Sequence, residues 1–440
     1  MTANQIRVVG VALTLAAASA SPTQGQATEG YIESPGGLHL SEVLALAEAR
    51  NPMLQALRSA AAAATAREPE ASTLPDPMLQ LGIMNFGVPD LNADMPTSMA
   101  PSIQLMQMIP FPGKLGLEGE IAAYSSAMAQ AGAREAHWEV RLEAASLFFD
   151  LYSLDRRLEV MRRTLSLLRD FREVANAMYV SGTGRQADVL RADVEVARMD
   201  AEVQRMEAMR AAHAAELNAV LDLPAGTELP SPVLGGLPMD APDREALLAW
   251  AHESTPALEH GRSAVDRARA QVALARKEIW PDLTLGLGYG QRNVGMGTER
   301  MGSVMIEFSL PVHAGRRQYA MRAEASAMEA MARSELRSSE ASVDARIGVQ
   351  LAELARARAL TTLYRTEVIP EARATVESAF SSYRVGSVDF MTLVDAQMTA
   401  NRYEGESFQL LADYGKAVAA IESAVGRALP RSGPMLREVP

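Results

Sequence analysis

Apolar side chains recur at alternating spacings of four and three residues along two neighbouring stretches of the chain. The first series contains Val140, Ala144, Leu147, Leu151, Leu154, Leu158, Met161, Leu165 and Leu168. The second contains Val189, Ala192, Val196, Met199, Val203 and Met206, and it resumes at Leu217 and Val220. Such spacing places the apolar positions on one stripe of a helix and is typical of coiled coils. Because Ser181-Gly182-Thr183-Gly184 separates the two stretches, the pattern predicts an antiparallel helical hairpin that turns there.

The positions of proline set the lengths of the predicted helices. Gly113–Leu223 contains no proline, so a single helix is predicted over Gly113–Ser181 before the turn. At a rise of about 1.5 Å per residue, this helix would be roughly 100 Å long. Shorter helices are predicted over Ser41–Ala71, with Ser41 as the N-cap, and over Asp243–Ile279.

Four segments alternate apolar residues with small or polar ones, which is typical of β-strands with two different faces. They are Met78–Phe86, Ser98–Ile109, Asp282–Gly290 and Met301–Leu310. In the last segment, one face carries Val304, Ile306, Phe308 and Leu310. Each has about 9 to 12 residues, the length of a tilted strand that crosses a bilayer. The predicted hairpin loops, Gly87–Thr97 and Gln291–Arg300, are polar and rich in glycine.

Four strands are too few to close a transmembrane barrel, for which about eight are the practical minimum. Open sheet edges are excluded from lipid because their backbone groups would lack hydrogen-bond partners. If the strands span a membrane, several chains must therefore share one barrel. The alternative is a pair of hairpins that pack on a soluble helical body.

The two halves of the chain carry the same motifs at an offset near 204 residues. The pairs are Asn51-Pro52-Met53-Leu54 and Thr255-Pro256-Ala257-Leu258, Leu74-Pro75-Asp76 and Trp280-Pro281-Asp282, Ile109-Pro110 and Leu310-Pro311, Gly113-Lys114 and Gly315-Arg316, and Tyr179-Val180-Ser181-Gly182 and Tyr383-Arg384-Val385-Gly386. A repeat of this length is too long for a solenoid and predicts a duplicated half-molecule.

The repeat predicts the domain organisation. The first repeat covers residues 38–222, with strands at about 78–109 and a helical hairpin at 113–222. The second covers 243–429, with strands at about 282–310 and a hairpin at 312–428. The second hairpin turns at Gly386, and Pro370 is predicted to kink its descending helix. Residues 223–242 are rich in Pro and Gly and predict a linker loop, and 430–440 form a C-terminal tail.

The first 20 residues have the features of a secretory signal peptide. Arg7 supplies a positive charge, Val8–Ala20 is uncharged and apolar, and Ala18-Ser19-Ala20 is a typical cleavage site. No later segment has about 18 uncharged apolar residues, so no transmembrane helix is predicted in the mature chain. The expected destinations are the periplasm, the outer membrane or the exterior.

Composition excludes several functional classes. The 440-residue chain has 54 acidic and 42 basic residues and a net charge of −12, which argues against a nucleic-acid-binding surface. It has no cysteine, so disulfides, thiolate metal sites, a cysteine nucleophile and a lipid-bearing N-terminal cysteine are all excluded.

No motif indicates catalysis, a cofactor or a metal site. Gly286-x-Gly288-x-Gly290 lies inside a predicted strand and opens no helix, so it is not a dinucleotide fingerprint. The six histidines are scattered without metal-ligand spacing. Methionines at 95, 99, 106 and 108 lie in or near the second strand, and thioethers suit Cu(I). Methionine also fills irregular apolar gaps, and we interpret these residues in that way.

The duplication, the strand pairs and two turn signatures together resemble the TolC family of outer-membrane channels, over about Leu38–Leu429. The signatures are Tyr179-x-x-Gly182-x5-Asp188-x-Leu190 and Tyr383-x-x-Gly386-x5-Thr392-x-Val394-Asp395-Ala396. Leu74-Pro75-Asp76-Pro77 and Phe111-Pro112-Gly113-Lys114-Leu115 are similar to the CusC-like heavy-metal branch. The resemblance implies a mainly α homotrimer in the outer membrane of a Gram-negative cell, with one twelve-stranded β-barrel and a periplasmic α-helical tunnel.

The resemblance also implies partners and a candidate site. The partners are a periplasmic adaptor, which contacts the hairpin tips, and an inner-membrane pump of the resistance-nodulation-division (RND) type. The tip residues are Ser181, Gly182, Thr183, Gly184, Arg384, Val385, Gly386 and Ser387. Alternatively, Gly182 and Gly386 only permit tight turns.

The candidate periplasmic gate consists of Asp188, Thr392 and Asp395. Three copies of each acid would form rings in the tunnel that favour cations. Alternatively, these acids are solvated side chains at helix N-termini, where they complement the helix dipole. Threonine at 392 replaces an acid that the family often has there, so a double acidic ring is not expected.

The resulting hypothesis is a non-enzymatic exit duct of a tripartite efflux system that passively conducts small substrates, either heavy-metal cations or drugs. One alternative is a type I secretion exit channel for polypeptides. Another is a soluble periplasmic coiled-coil scaffold or adaptor.

Overall fold

The computed structural model describes residues 37–85, 99–238, 243–294, 297–430 and 435–436. The predicted signal peptide, the first strand-connecting loop at 87–97 and Met95 lie outside the described residues. The compact unit described below lies within Ser34–Pro440.

Both repeats contain the predicted order of helices, two strands and a helical hairpin. The first consists of β1 (Leu38–His39), α1 (Leu40–Arg50), α2 (Pro52–Ala66), α3 (Glu68–Ala71), β2 (Met78–Met84), β3 (Met99–Ile109), α4 (Lys114–Val180) and α5 (Gln186–Val220). Two short strands follow, β4 (Pro232–Val233) and β5 (Leu237–Pro238). The second consists of α6 (Arg244–Ser254), α7 (Pro256–Lys277), β6 (Leu283–Val294), β7 (Gly297–Phe308), α8 (Gln318–Leu363), a π-helical turn (Tyr364–Val368), α9 (Ile369–Arg384) and α10 (Phe390–Val425), before β8 (Met435–Leu436).

The helix that opens each repeat is broken at a proline, so the prediction of single helices over 41–71 and 243–279 was wrong. Pro52 begins α2 and Pro256 begins α7. Proline has no N–H for the i−4 carbonyl and disfavours helical geometry in the residue before it. The N-cap prediction was also wrong, because α1 begins at Leu40 with His39 as its cap and Ser41 lies inside the helix.

The side chain of the residue before each of these prolines forms a hydrogen bond with the last helix of the same repeat. Asn51 Nδ2 donates a hydrogen bond to the carbonyl of Val220 at 3.0 Å. Thr255 Oγ1 donates to the carbonyl of Ala424 at 2.9 Å. Each bond spans 169 residues, so the two repeats are equivalent in their hydrogen bonds as well as in their motifs.

The four longer strands form one antiparallel sheet in the order β2-β3-β6-β7. The first repeat therefore contacts the second through β3 and β6, where Ile109 lies opposite Leu283. β6 and β7 extend to Val294 and Gly297, so most of the predicted loop at 291–300 is strand. Arg292 and Glu299 lie opposite each other there and form an ion pair at 2.7 Å, which favours continued pairing.

The long hairpin helices follow the prediction closely. α4 has 67 residues, and at about 1.5 Å per residue it is roughly 100 Å long. In the second hairpin, the irregularity expected at Pro370 takes the form of the π-helical turn immediately before it. Tyr364 anchors this turn, because its hydroxyl donates to Glu406 at 2.7 Å and its ring meets Tyr403 edge-on.

The described part of the predicted linker, residues 223–238, contains two short strands, whereas the sequence predicted only a loop. β4 pairs in parallel with β1, at the beginning of the first repeat. β5 pairs antiparallel with β8, which belongs to the predicted tail. These two-residue strands depend on partners far away in the sequence, so the local Pro and Gly content did not reveal them.

Candidate functional site

The four-stranded sheet exposes a continuous apolar face. One row across the sheet consists of Leu79 on β2, Leu105 on β3, Leu287 on β6 and Val304 on β7. All four side chains are exposed, as are most of their apolar neighbours on the same face. An exposed apolar surface of this extent marks contact with lipid or with another protein.

The opposite face of the sheet combines glycine, polar and methionine side chains. Gly286 lies between Met106 on β3 and Met305 on β7 in one cross-strand row. A Cβ atom at Gly286 would lie 3.3 Å from Met305 and 3.6 Å from Met106, so these methionines cover the space that glycine leaves. This arrangement agrees with the interpretation of methionine as a flexible space filler.

At the other end of the long helices, the candidate tip residues form tight turns. Gly182 and Gly386 have φ angles of +78° and +74°, which only glycine adopts without strain. The backbone N–H groups of Thr183 and Gly184 both donate to the carbonyl of Met178, at 2.9 and 2.7 Å. A Cβ atom at Gly184 would lie 2.8 Å from the Met178 side chain, so this position also requires glycine.

The two tips share one hydrophobic cluster. Phe171 of α4 stacks on Phe380 of α9 with ring centroids 5.3 Å apart. Tyr383 and Phe390, on either side of the second turn, meet edge-on and are buried. Leu168 of α4 and Leu393 of α10 belong to the same cluster. The structure therefore brings the two predicted turn regions together as one unit.

Each tip presents one highly exposed valine. Val180 and Val385 are both 79% exposed. The neighbouring hydroxyls are used within the turns, because Ser181 donates to the Met178 carbonyl and Ser387 donates to the Ser382 carbonyl. Val180 was missed in the sequence, since it lies at the end of a helical pattern and only its exposure distinguishes it.

Asp389, which the sequence analysis did not single out, caps α10. Its Oδ1 atom accepts hydrogen bonds from the Thr392 backbone N–H at 2.9 Å and from the Thr392 hydroxyl at 2.7 Å. These bonds lower the pKa of the Asp389 carboxyl, and the positive charges of Arg191 and Arg185 in the first hairpin act in the same direction. The Asp-x-x-Thr spacing before an apolar stripe is the sequence signal that could have revealed this cap.

The three predicted gate residues lie in two different places. Thr392 and Asp395 are exposed and line a groove of about 510 Å³ between α9 and α10, together with Thr375 and Tyr403. Asp188 is half-buried in the first turn of α5. Burial raises the pKa of the buried Tyr383 hydroxyl, and the nearby charge of Asp188 adds to this shift.

The hydrogen-bonded carboxyl of Asp389 predicts that the stability of the first turn of α10 depends on pH only under acidic conditions. A carboxyl with a lowered pKa stabilises the folded state above its unfolded pKa, and this contribution is lost as pH falls through the folded pKa. After correction for intrinsic rates, we expect amide exchange in the first turn of α10 to be constant from pH 7 to about 5. It should accelerate below about pH 4, near the ordinary pKa of aspartate.

The matched control for this measurement is Asp389→Asn, which keeps a capping oxygen but does not titrate. Hydrogen exchange read by mass spectrometry should show little acid dependence of the first turn in this variant. An equal acceleration in both proteins would assign the effect to another group.

Among the described helices, none combines the length and the apolar character of a transmembrane span. Within the described ranges, no group of three or more His, Asp or Glu side chains is placed to hold a metal ion.

A family model described as outer membrane efflux protein matches residues 247–427, from α6 to the end of α10. One curated relative is the cobalt-zinc-cadmium resistance protein CzcC of Cupriavidus metallidurans. It is 23% identical over 401 residues, which cover 90% of this chain and 91% of the relative.

Solved structures with the same fold cover most of the chain. A membrane protein from Pseudomonas aeruginosa has a TM-score of 0.78 at 19% identity, and the match covers 88% of this chain and 90% of the other. The outer membrane protein VceC from Vibrio cholerae has a TM-score of 0.75 at 16% identity, covering 88% and 96%. CusC has a TM-score of 0.73 at 13% identity, covering 88% and 92%.

Proposed function

We propose that this chain belongs to the outer membrane efflux protein family, that it is the exit duct of a tripartite efflux system, and that it carries divalent metal cations out of the cell. It lies in the outer membrane of a Gram-negative cell, with its long helices in the periplasm. Transport is passive, and an RND-type pump in the inner membrane supplies the energy through a periplasmic adaptor.

The observation that carries this proposal is the exposed apolar face of the four-stranded sheet. Its two edge strands, β2 and β7, pair on one side only, with β3 and β6, and no described strand covers their outer edges. A sheet with an apolar face and open edges is stable in lipid only if other strands satisfy its edges. Three copies supply twelve strands, enough to close the sheet around a central passage.

The hairpin tips are the proposed contact with the adaptor. Apart from Arg384, the tips have little side-chain bulk: each presents one exposed valine, beside Ser181, Gly182, Thr183 and Gly184 in the first turn and beside Gly386 and Ser387 in the second. Such a surface allows another helical hairpin to approach closely. The shared cluster around Phe171 and Phe380 holds both tips in a constant relative position, so one partner can contact both.

Acidic side chains near the tips support cation transport. Asp188, Asp389 and Asp395 all lie within the first two turns of the ascending helices. Three copies of these acids would raise the local concentration of cations and repel anions. The name of CzcC, a cobalt-zinc-cadmium resistance protein, supports Co²⁺, Zn²⁺ and Cd²⁺ as substrates of this chain.

The test is growth of the native host on graded Co²⁺, Zn²⁺ and Cd²⁺ after deletion of the gene and after its return. We expect deletion to lower the inhibitory concentration of at least one of these cations several-fold. The Val180→Asp/Val385→Asp variant should reach the outer membrane as a trimer and fail to restore resistance, because buried charge is disfavoured at an apolar contact.

Ala225→Asp/Gly226→Asp is the matched control, since it adds the same two negative charges on an exposed loop after α5. It should restore resistance fully. Full resistance from the double-valine variant would overturn the adaptor contact at the tips. If the deletion strain became sensitive only to organic toxins, metal cations would not be the substrate. If the protein were soluble without detergent, it would not be an outer-membrane duct.

A further inference from the structure

Methionine is confined to one face of the four-stranded sheet. Seven of the 24 methionines lie in the four longer strands: Met78, Met84, Met99, Met106, Met108, Met301 and Met305. Their cross-strand partners or nearest contacts are Gln104, Thr284, Gly286 and Gly290, all on the face opposite the exposed leucine row. On the other face of the described strands, the apolar side chains are Leu, Ile, Val, Phe and Tyr. A residue that served only as an apolar filler would be expected on both faces.

Gly286 lets two thioether side chains meet across β6. Met106 and Met305 flank Gly286 on the neighbouring strands, so two strand spacings of about 4.8 Å put their Cα atoms about 10 Å apart. Because Gly286 has no side chain, both methionines lean over it. Met106 Cγ lies 3.6 Å and Met305 Cε 3.3 Å from the position of a Cβ atom at Gly286. Met78 continues the row on β2, opposite Met106, so three strands bring three thioethers into one row.

The thioethers of this row are accessible. Met78 is 58% exposed, Met305 is 41% exposed and Met106 is half-buried. When three copies close the sheet with its apolar face toward lipid, the methionine-bearing face lines the passage. Space filling explains why the side chains lean toward glycine, but it does not require sulfur atoms that face the passage.

The same arrangement recurs at Gly290, four residues further along β6. Met99 Sδ lies 2.9 Å from the position of a Cβ atom at Gly290, and Met301 lies opposite Gly290 on β7. Four residues of strand span about 13 Å, so the two groups of thioethers follow one another along the passage. Conduction favours such open, successive sites over one closed cage, because an ion must leave as readily as it enters.

We propose that this methionine face binds soft cations transiently as they leave through the duct. Thioether sulfur is a soft and uncharged ligand, which favours soft cations over hard ones. Cd²⁺ is the softest of the three proposed substrates, so the face selects it over Co²⁺ and Zn²⁺. The acids near the tips act on charge and attract all three alike. The inference rests on the proposed duct, because only a closed sheet turns this face toward the passage, and it adds a selectivity that charge does not provide.

Silver(I) is the probe for the binding site, since it is a soft cation that thioethers bind. Met106→Leu/Met305→Leu removes two sulfur atoms and keeps the apolar volume, an exchange that proteins tolerate well. The control Met328→Leu/Met331→Leu removes two exposed thioethers from α8, outside the sheet. Detergent-purified trimers are titrated with silver nitrate in chloride-free buffer and followed by calorimetry. The tightest binding should weaken about 10–100-fold in the sheet variant, as losses around metal sites do, and stay unchanged in the control.

Ion currents through single trimers in planar bilayers test the selectivity. In the wild-type protein, Cd²⁺ should reduce the potassium current at a several-fold lower concentration than Co²⁺. In Met106→Leu/Met305→Leu, the two cations should act at the same concentration. Because Cd²⁺ and Co²⁺ carry the same charge, the acids near the tips cannot produce the difference between them.

Two outcomes would overturn the methionine face and leave the exit duct intact. One is equal silver affinity in the sheet variant and the wild-type protein. The other is a wild-type current that Cd²⁺ and Co²⁺ reduce at the same concentration. If the wild-type protein forms no channel in bilayers and is a monomer in detergent, the proposed duct and the methionine face fail together.

Discussion

Replacement of Lys114 by alanine is expected to lower the free energy of unfolding by about 2–3 kcal/mol. Removal of one partner from a fully buried ion pair costs about 3–5 kcal/mol, because the other charge stays buried without compensation. Lys114 is buried and forms ion pairs with Asp282 at 3.0 Å and with Glu278 at 3.5 Å. The Glu278 and Asp282 side chains are 33% and 26% exposed, so water compensates part of the loss. The sheet and the long helices meet at this residue, so the first loss of structure should occur at their junction.

The matched control is Arg134→Ala, which breaks another ion pair between α4 and α7. Arg134 and its partner Glu259 are exposed, so the expected cost is below about 1 kcal/mol. Lys114→Met keeps the aliphatic stem and separates the loss of charge from the loss of packing. Chemical unfolding of the detergent-purified proteins, followed by circular dichroism, gives the free energies of unfolding of Lys114→Ala, Lys114→Met and Arg134→Ala for comparison. If Lys114→Ala and Arg134→Ala lowered the free energy of unfolding equally, burial would not explain the contribution of Lys114.

Replacement of Gly415 by alanine is expected to destabilise the protein by about 1–3 kcal/mol, as overpacking of a core does. Gly415 lies inside α10, where α10 crosses α4, and an added Cβ atom would overlap the ring of Phe149. Phe149 is 1% exposed and cannot move out of the core without opening it.

Gly405 in the same helix provides the opposite expectation. A Cβ atom there would lie 3.6 Å from Arg157, which is ordinary contact. Gly405→Ala should therefore stabilise the helix by up to about 1 kcal/mol through backbone entropy. The same unfolding measurement tests both, and Phe149→Leu should reduce the cost of Gly415→Ala in a double-mutant cycle. A destabilised Gly405→Ala protein would contradict the distinction between the two glycines.

Features that depend on local periodicity were predictable from the sequence. The stripes ending at Leu168 and beginning at Val189 predicted the first hairpin, and the structure confirms helices over Lys114–Val180 and Gln186–Val220. Alternation predicted the four strands, with errors at their ends. The helix breaks at Pro52 and Pro256 also have a local signal in the sequence, because a capping residue followed by proline marks the start of a helix.

The candidate site was only partly predictable. The turn glycines Gly182 and Gly386 could be recognised in the sequence because a positive φ is a property of the local backbone. The proximity of Asp188 to Tyr383 could not, since it depends on how α5 packs beside the second hairpin. Whether Asp188, Thr392 and Asp395 form a gate remains a prediction for three assembled copies.

The sequence by itself determined the duplicated order of elements, the lengths of the hairpin helices and the two-faced character of the strands. These properties follow from side-chain spacing and from proline and glycine, which act within a few residues. Only the tertiary structure decided that β3 pairs with β6, that the linker pairs with both ends of the described chain, and that Lys114 is buried against Asp282. Each of these contacts joins residues far apart in the chain, and its stability comes from burial and pairing that no local pattern encodes.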